Sequence, residues 1–397
     1  MKAGSRIAAF YAAIFLMIGC YMAYLPVWLK ARGFTEAEIT LVFALPLLLR
    51  VVFTPLVSFI ADKAGNARAL VFWLTHGAAC ALACLAAAPG HAMIFAALTV
   101  YALLWTSVVP LTETIAVSAA KADGADYGRM RMWGSLTFII AVATGGLAVD
   151  WGGPDAALWM VIGSAALMAG VAHGLPQPGR SDVALPPIKL RQAARFARSG
   201  PFALFLLSAT AVSASHAVYN TLATLHWLSL GISPTAIGLL WATGVIAEIA
   251  LFWFAGRVVR AAPPTALMLI GASAAVLRWI VTATNPPLTV LFPVQMLHSL
   301  TYGAAHLGAI YFLARAVPSQ FAATAQGLYA AVAAGVGMGA ACIAAGPLYK
   351  AMNADAFLVM AGLAAASVVF TLWLAAVWRG DEIDLVRDSD QRFAPAR

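Results

Sequence analysis

Apolar runs of about 20 to 30 residues alternate with short polar breaks along almost the whole chain, and a run of about 20 suffices to cross a hydrocarbon core. Reading the runs gives spans at residues 6–29, 38–61, 69–88, 91–120, 131–149 and 155–174, then 201–229, 235–257, 264–284, 288–316, 322–346 and 355–378. Backbone amides cannot go unpaired in lipid, so runs of this length must be helices. The breaks carry turn chemistry: Pro89-Gly90, Gly152-Gly153-Pro154, Pro263-Pro264, Asn285-Pro286-Pro287 and Pro347. The longest polar stretch, residues 175–200, holds Pro176, Pro178, Pro186, Pro187 and the bases Arg180, Lys189, Arg191, Arg195 and Arg198. It separates a 1–174 half from a 201–380 half, and a charged tail follows over 381–397. The pattern predicts an all-α integral membrane protein, with twelve transmembrane helices in two six-helix bundles joined by a central loop. The halves also match internally. Aligning Gly33-Phe34-Thr35 with Gly231-Ile232-Ser233 carries Arg50 onto Glu248, as expected of a duplicated transporter.

Composition agrees. The chain is 62% hydrophobic and 10% charged, whereas soluble domains are about a quarter charged. The formal net charge of +8 would suit a nucleic-acid binder, but the placement of the bases explains it otherwise. With the N-terminus inside, only Lys30, Arg32 and Lys350 fall in outer loops and only Arg50 and Arg278 inside spans. All other Lys and Arg, Arg129 and Arg131 among them, fall in inner loops or tails. This asymmetry predicts that both termini are cytoplasmic, and it leaves nucleic acid without support as a partner. Lys2 and Arg6 precede an apolar run too long for a signal-peptide core, so that run reads as a retained first helix. Cys80 and Cys84 have helical i, i+4 spacing without a flanking His or acid. They read as small buried packing residues and not as a metal or redox pair. No phosphate-binding glycine loop and no nucleophile–base set is present, so ATP use, a cofactor and an enzymatic role are not expected.

Charge inside the spans carries the chemistry. Arg50, Glu113, Glu248 and Arg278 all lie at membrane depth, where a bare charge costs at least ~2.5–3.5 kcal/mol, so each should face a cavity or a partner. Burial disfavours the charged form of a carboxyl, which makes Glu113 and Glu248 candidate proton carriers. Glu113 follows Pro110, whose missing N–H frees a carbonyl one turn upstream. The alternative for Glu113 is a static salt bridge to Arg50 or another base. Arg50 cannot carry a proton; it can hold a substrate carboxylate or serve a structural pair. Glu248 and Arg278, on neighbouring spans, are expected to pair. His216, His298 and His306 lie deep in their spans, and His298 and His306 fall near one helix face. Gln295 and Tyr302 share that span, while span seven adds Tyr219 and Asn220. Tyr21 and Tyr24 on span one could supply an aromatic wall. In span eleven, Gly335 and Gly339 have the small-xxx-small spacing of a close helix contact, here expected between the halves.

Two six-helix halves with a cytoplasmic central loop resemble the major facilitator superfamily. The loop Ser58-Phe59-Ile60-Ala61-Asp62-Lys63-Ala64-Gly65-Asn66-Ala67-Arg68 is similar to its gating loop at Asp62, Lys63, Gly65 and Arg68, with Ser58 in place of the first glycine. More specifically, Pro110-Leu111-Thr112-Glu113, Asp126-Tyr127-Gly128-Arg129-Met130-Arg131-Met132-Trp133-Gly134-Ser135, Val245-Ile246-Ala247-Glu248, Arg278-Trp279 and Gln295-Met296-Leu297-His298 resemble the 3-phenylpropionate transporter family. Glu248, Arg278 and His298 also resemble the carboxylate–guanidinium–imidazole set of lactose permease, with Thr301 where that permease has a second carboxylate. The resemblance implies a monomeric proton symporter of the bacterial cytoplasmic membrane. It would import a small organic anion such as an aromatic monocarboxylate by alternating access, through a cavity lined by spans one, four, seven and ten. A sugar or nucleoside is the alternative substrate, and a membrane sensor that binds without translocating is the alternative class.

Overall fold

The structure, a computed structural model, describes residues 3–123, 126–177, 198–318 and 321–383. The central loop and the tail fall mostly at 178–197 and 384–397, outside the described residues, as does the side chain of Asp62. In chain order the helices are α1 Ala3–Ala31, α2 Glu36–Ala64, α3 Ala67–Ala83, α4 His91–Trp105, α5 Val108–Asp123 and α6 Tyr127–Ala172. There follow α7 Gly200–Ala214, α8 Ala217–Ser229, α9 Pro234–Trp253, α10 Ala255–Ala261, α11 Pro264–Ala283 and α12 Leu288–Met296. The last are α13 Ala305–Ala316, α14 Ala322–Tyr329, α15 Met338–Met352 and α16 Ala356–Val377. Wider π-helical turns, Ser299–Ala304 and Ala330–Gly337, join α12 to α13 and α14 to α15. Among the described residues, nine helical stretches are long and apolar enough to cross a membrane.

The internal repeat has a structural counterpart. α1 and α8 each end at a glycine with positive φ, Gly33 at 85° and Gly231 at 79°. Beyond each glycine an apolar residue folds back: Phe34 N–H donates to the Leu29 carbonyl and Ile232 N–H to the Trp227 carbonyl, both at 3.1 Å. This is the helix-ending turn that only glycine enters without strain. The next residue starts the following helix. Thr35 and Glu38 form a reciprocal capping box for α2, and Ser233 Oγ accepts from Ala236 N–H at the start of α9. Each such cap contributes about 1 kcal/mol.

Proline shapes the helix interiors. Pro110 has no N–H for the Thr106 carbonyl, and the helix opens there between α4 and α5. The freed carbonyl instead accepts from the Thr54 hydroxyl of α2 at 3.3 Å, which keeps a buried acceptor satisfied. Pro347, expected to break a span, lies inside α15; the chain turns later, at Asn353 with φ 50°. Residues 131–149 and 155–174 belong to the single element α6, which is broken at Gly153. Arg129 and Arg131 lie inside α6, not in a loop, because Asp126 caps it by accepting from Arg129 N–H at 3.1 Å. Cys80 and Cys84 are exposed, not buried.

α1 packs along α6, while α16 packs on α7 and α11. The elements before residue 173 meet those after residue 199 where α9 crosses α6, α15 crosses α2 and α8 touches α1. A Cβ on Gly238 would overlap the Val142 carbonyl oxygen, and one on Gly146 the Pro234 carbonyl oxygen. Beside this crossing, Thr235 N–H donates to Asp150 Oδ2 at 2.9 Å. Gly335, Gly339 and Gly346 of the second crossing face Leu47 and Val51, Leu48, and Ala37 with Thr40 respectively. Gly337 instead faces Thr210 of α7, so the contact between groups runs through the other three.

Gly238→Val should loosen the α6–α9 crossing. Overpacking of this kind costs about 1–3 kcal/mol. Maleimide labelling of a Thr40→Cys reporter, buried at the neighbouring crossing, should then rise by at least about fivefold at unchanged monodispersity. Unchanged labelling in a folded variant would show that the crossing does not shield Thr40.

Candidate functional site: a polar cavity between the two helix groups

A cavity of about 330 Å³ lies between the groups. α1 and α6 supply Phe15, Arg131, Ser135 and Phe138 to its wall; α7 and α8 supply Ser208, Ser213, Tyr219 and Asn220, and His216 sits in the turn between them. α9 adds Trp241 and Glu248, while α12 to α13 add His298, Thr301, Tyr302 and His306. The helix is interrupted on both sides of this wall. α7 gives way to α8 at Ser215 and His216, where the His216 backbone leaves helical geometry at φ −89°, ψ 0°. Opposite it, the π turn starts directly after His298; such turns recur at functional sites.

On the α11 side the polar groups form one connected set. Arg278 is fully buried. Its Nη2 donates to Gln295 Oε1 at 2.7 Å, and its Nη1 to Thr301 Oγ1 at 3.1 Å and His298 Nδ1 at 3.2 Å. The guanidinium also lies over the rings of Tyr219 at 4.4 Å and Trp279 at 4.7 Å, an arrangement that favours a desolvated cation. His298 Nε2 lies 3.2 Å from Glu248 Oε2.

Donor chemistry fixes the tautomers. Arginine only donates, so His298 Nδ1 accepts and Nε2 carries the hydrogen offered to Glu248. His216 Nδ1 meets the Val212 carbonyl at 2.9 Å and must donate there, leaving Nε2 to accept from the Thr301 hydroxyl at 3.2 Å. Glu248 and Arg278, expected to pair, are instead joined through a neutral imidazole. A proton on His298 Nδ1 would face the guanidinium. This set can therefore accept a proton at Glu248, or at His298 once the Arg278 contact breaks. The His298, Tyr302 and His306 rings stack along the wall, with centroids 5.5 and 5.8 Å apart and planes within 7° and 2°.

The α6 side carries a separate pair. Arg131 Nε lies 3.7 Å from Glu113 Oε1, with about a third of each side chain exposed. The Tyr127 hydroxyl donates to the other Glu113 oxygen. The guanidinium lies 4.0 Å from the Phe15 ring centroid and 5.6 Å from that of Tyr11. A long, part-exposed ion pair contributes about 0.2–1 kcal/mol, so a ligand can replace Glu113 at small cost.

The expected site residues thus separate into groups. His216, Tyr219, Asn220, Glu248, His298, Tyr302 and His306 line the cavity. Arg278 and Gln295 sit immediately behind its wall, and Glu113 touches the cavity residue Arg131. Tyr21 and Tyr24 are core residues: Tyr21 packs against Phe43 and Tyr101, and the Tyr24 hydroxyl donates to the Val142 carbonyl. Arg50 is half-buried on α2 and away from the cavity. Among the described residues it pairs with neither Glu113 nor any other acid. Of the expected gating loop, Lys63 lies in the last turn of α2 and is exposed, Gly65 takes φ 62° between the helices, and Arg68, in the first turn of α3, donates Nη2 to the His173 carbonyl at 3.1 Å. Sequence reasoning missed Arg131, Ser135, Phe15 and Trp241 as cavity residues. The available signal was the Asp126 cap, which puts Arg131 one turn inside a helix.

A polar cavity walled by helices from both parts of an apolar, all-helical chain is the architecture of a membrane transporter. The chain belongs to the MFS_1 like family, whose model matches residues 5–360. It is 29% identical over 362 residues to a probable 3-phenylpropionic acid transporter of Escherichia coli (strain K12), covering 88% of this chain and 92% of that protein. It is 28% identical over 338 residues to a maltose permease of Geobacillus stearothermophilus, covering 83% of each. Among solved structures, the nucleoside transporter NupG superposes with a TM-score of 0.79 at 18% identity, over 96% of this chain and 100% of that one. A bacterial homologue of the lysosomal transporter Spinster, inward-facing and occupied, gives 0.72 at 12% identity, over 99% and 98%. These two likenesses speak to the fold.

The linkage through His298 makes a stability prediction. Glu248→Gln and Arg278→Gln do not remove a common contact, yet their effects on thermal unfolding should be non-additive by about 0.5–3 kcal/mol. The non-additivity should vanish in a His298→Phe background. Additive shifts with His298 intact would sink the linkage.

Proposed function

We propose that this transporter is a proton symporter of a small aromatic carboxylate, working by alternating access. The observation that carries the proposal is that each half offers the same cavity an acid–base set: Arg131 with Glu113 on one side, and Glu248 with His298 and Arg278 on the other. Arg131 is the arginine with a free edge on the cavity, and its forked guanidinium suits a carboxylate. Phe15, Phe138, Trp241 and the stacked His298–Tyr302–His306 wall suit a flat ring. Glu248 is the proton carrier in this reading. When it is neutral, its bond to His298 loses charge assistance and the cavity wall can rearrange. The name of the Escherichia coli relative supports an aromatic acid.

The reading counts twelve transmembrane helices, six on each side of the 175–200 linker, with both termini cytoplasmic. α6 supplies two of them about Gly153, α4 with α5 one, α7 with α8 one, α9 with the short α10 one, α12 with α13 one, and α14 with α15 one. Residues 1–174 and 201–380 then rock against each other about the α2–α15 and α6–α9 crossings. A neutral sugar or nucleoside is the second reading. It is favoured by the small charge imbalance at Arg131 and Glu113, by Asn220 and Ser135 in the wall, and by the maltose permease relative.

Counterflow in proteoliposomes decides among these. Wild type loaded with 3-phenylpropionate should exchange it, whereas a sensor would exchange nothing. Glu248→Gln should keep downhill exchange and lose most uphill, pH-driven uptake. Uphill uptake at wild-type level in this variant would remove Glu248 as carrier. Arg131→Lys keeps the charge but loses the fork, and should weaken binding of the acid about tenfold while leaving its amide unaffected. Equal wild-type affinity for acid and amide, or uptake of maltose or uridine in place of the acid, would favour the second reading.

A further inference from the structure

A second cleft, of about 440 Å³, lies on the outside of the helix body, between α10 with its exit to α11 and the end of α13. Arg260, Pro263, Tyr311 and Arg315 wall it, and it shares no lining residue with the central cavity. Neither Arg260 nor Arg315 forms an ion pair with any described residue. A third base, Arg257, lies beside them with its guanidinium 5.4 Å from the Phe254 ring centroid. The acids nearby are Asp381 and Glu382. They follow Gly380, which lies against the Arg315 guanidinium, yet neither carboxylate comes within ion-pair distance of it. Among the described residues, then, the positive charge of the cleft has no ion-pair partner.

Aromatic surface lies near the same charge: Tyr311 lines the cleft, and Trp253 and Phe254 directly precede α10, which carries Arg257 and Arg260. Trp253 is 78% exposed, Phe254 46% and Tyr311 38%. Trp and Tyr beside Arg, at the end of an apolar helix, mark the level of the lipid headgroups. Guanidinium forks bind phosphate in two-pronged fashion, and a soluble phosphate would have no use for the flanking Trp253 and Phe254. Acyl chains would use them.

We propose that this cleft holds the phosphate-bearing headgroup of an anionic phospholipid, with Arg260 and Arg315 on the phosphate and Trp253 and Phe254 against the upper acyl chain. The site is separate from transport chemistry. Its leaflet depends on the topology proposed above, but its existence does not, since a lipid nanodisc exposes both leaflets.

Native mass spectrometry of the purified full chain tests the proposal by comparing retained phosphatidylglycerol with phosphatidylcholine of the same acyl chains. A basic side chain near an anionic surface adds about a fivefold preference. Arg260→Gln with Arg315→Gln should therefore cut the phosphatidylglycerol preference by roughly tenfold or more, while counterflow in neutral liposomes stays at the wild-type level. Arg6→Gln with Lys63→Gln removes as much charge elsewhere at the same end and should leave the preference largely intact. If the glutamine pair does not fold, the single Arg315→Gln is read in its place and should lower the preference by about fivefold. An unchanged preference in the cleft variant would overturn the proposal, and so would equal losses in the two double variants. Complete displacement of phosphatidylglycerol by millimolar inorganic phosphate would assign the cleft to a soluble anion and overturn it as well.

Discussion

A guanidinium with no exposure to water must be satisfied by whatever surrounds it, and the wall of the central cavity is organised around that demand. Arg278 never becomes neutral. With Gln295, Thr301, His298 and two aromatic faces in contact with it, no carboxylate touches it directly. Direct contact between buried opposite charges gives strong attraction but leaves a costly single charge whenever one partner changes state. Interposing His298 spreads the interaction over a neutral ring. Glu248 can then change charge without stranding Arg278, because Nη1 and Nη2 of the guanidinium keep their acceptors on His298, Thr301 and Gln295.

The same demand constrains the helices. α12 must bring Gln295 and His298 to Arg278 and still present His298, Tyr302 and His306 to the cavity. A regular helix already keeps Gln295, His298, Tyr302 and His306 on one stripe, at i, i+3, i+7 and i+11, but turns Thr301 away from it. The π turn over Ser299–Ala304 holds Thr301 against Arg278 and His216 while Tyr302 and His306 stay on the wall. The opening at Ser215 and His216 does a similar job across the cavity, because it lets His216 Nδ1 donate to a backbone carbonyl and turn Nε2 toward Thr301. Both irregularities place backbone departures next to protein polar groups rather than lipid, the setting in which membrane helices tolerate them.

How much of this was legible in the sequence depended on the range of the interaction. Apolar runs and breaks such as Pro89-Gly90, Gly152-Gly153-Pro154 and Pro263-Pro264 are local, and local physics placed them, although Pro347 stayed inside its helix. Glu248, His298 and the span-seven residues were legible as cavity groups because polar side chains deep in an apolar run have few other places to go. Partner choice was not legible. Glu248 meets His298, not Arg278, and Glu113 meets Arg131, not Arg50; a residue's depth in its span does not say which neighbour faces it. Tyr21 and Tyr24 misled for the same reason, since an amphipathic ring fits a core with a carbonyl acceptor as well as a cavity wall. Arg131 was hidden by a counting rule that treats a base near a helix end as a loop residue.

Arg50 shows what the internal repeat does and does not transmit. The alignment of the halves pairs Arg50 with Glu248, yet of the two only Glu248 reaches the cavity. α9 crosses α6 at Gly146 and Gly238, and farther along α9 its Glu248 meets His298. α2 packs its Leu47, Leu48 and Val51 against Gly335 and Gly339, and Arg50, next to them in sequence, has no acidic partner among the described residues. The matched positions thus differ in surroundings, Glu248 lining the cavity and Arg50 lying on α2 next to residues that pack on Gly335 and Gly339.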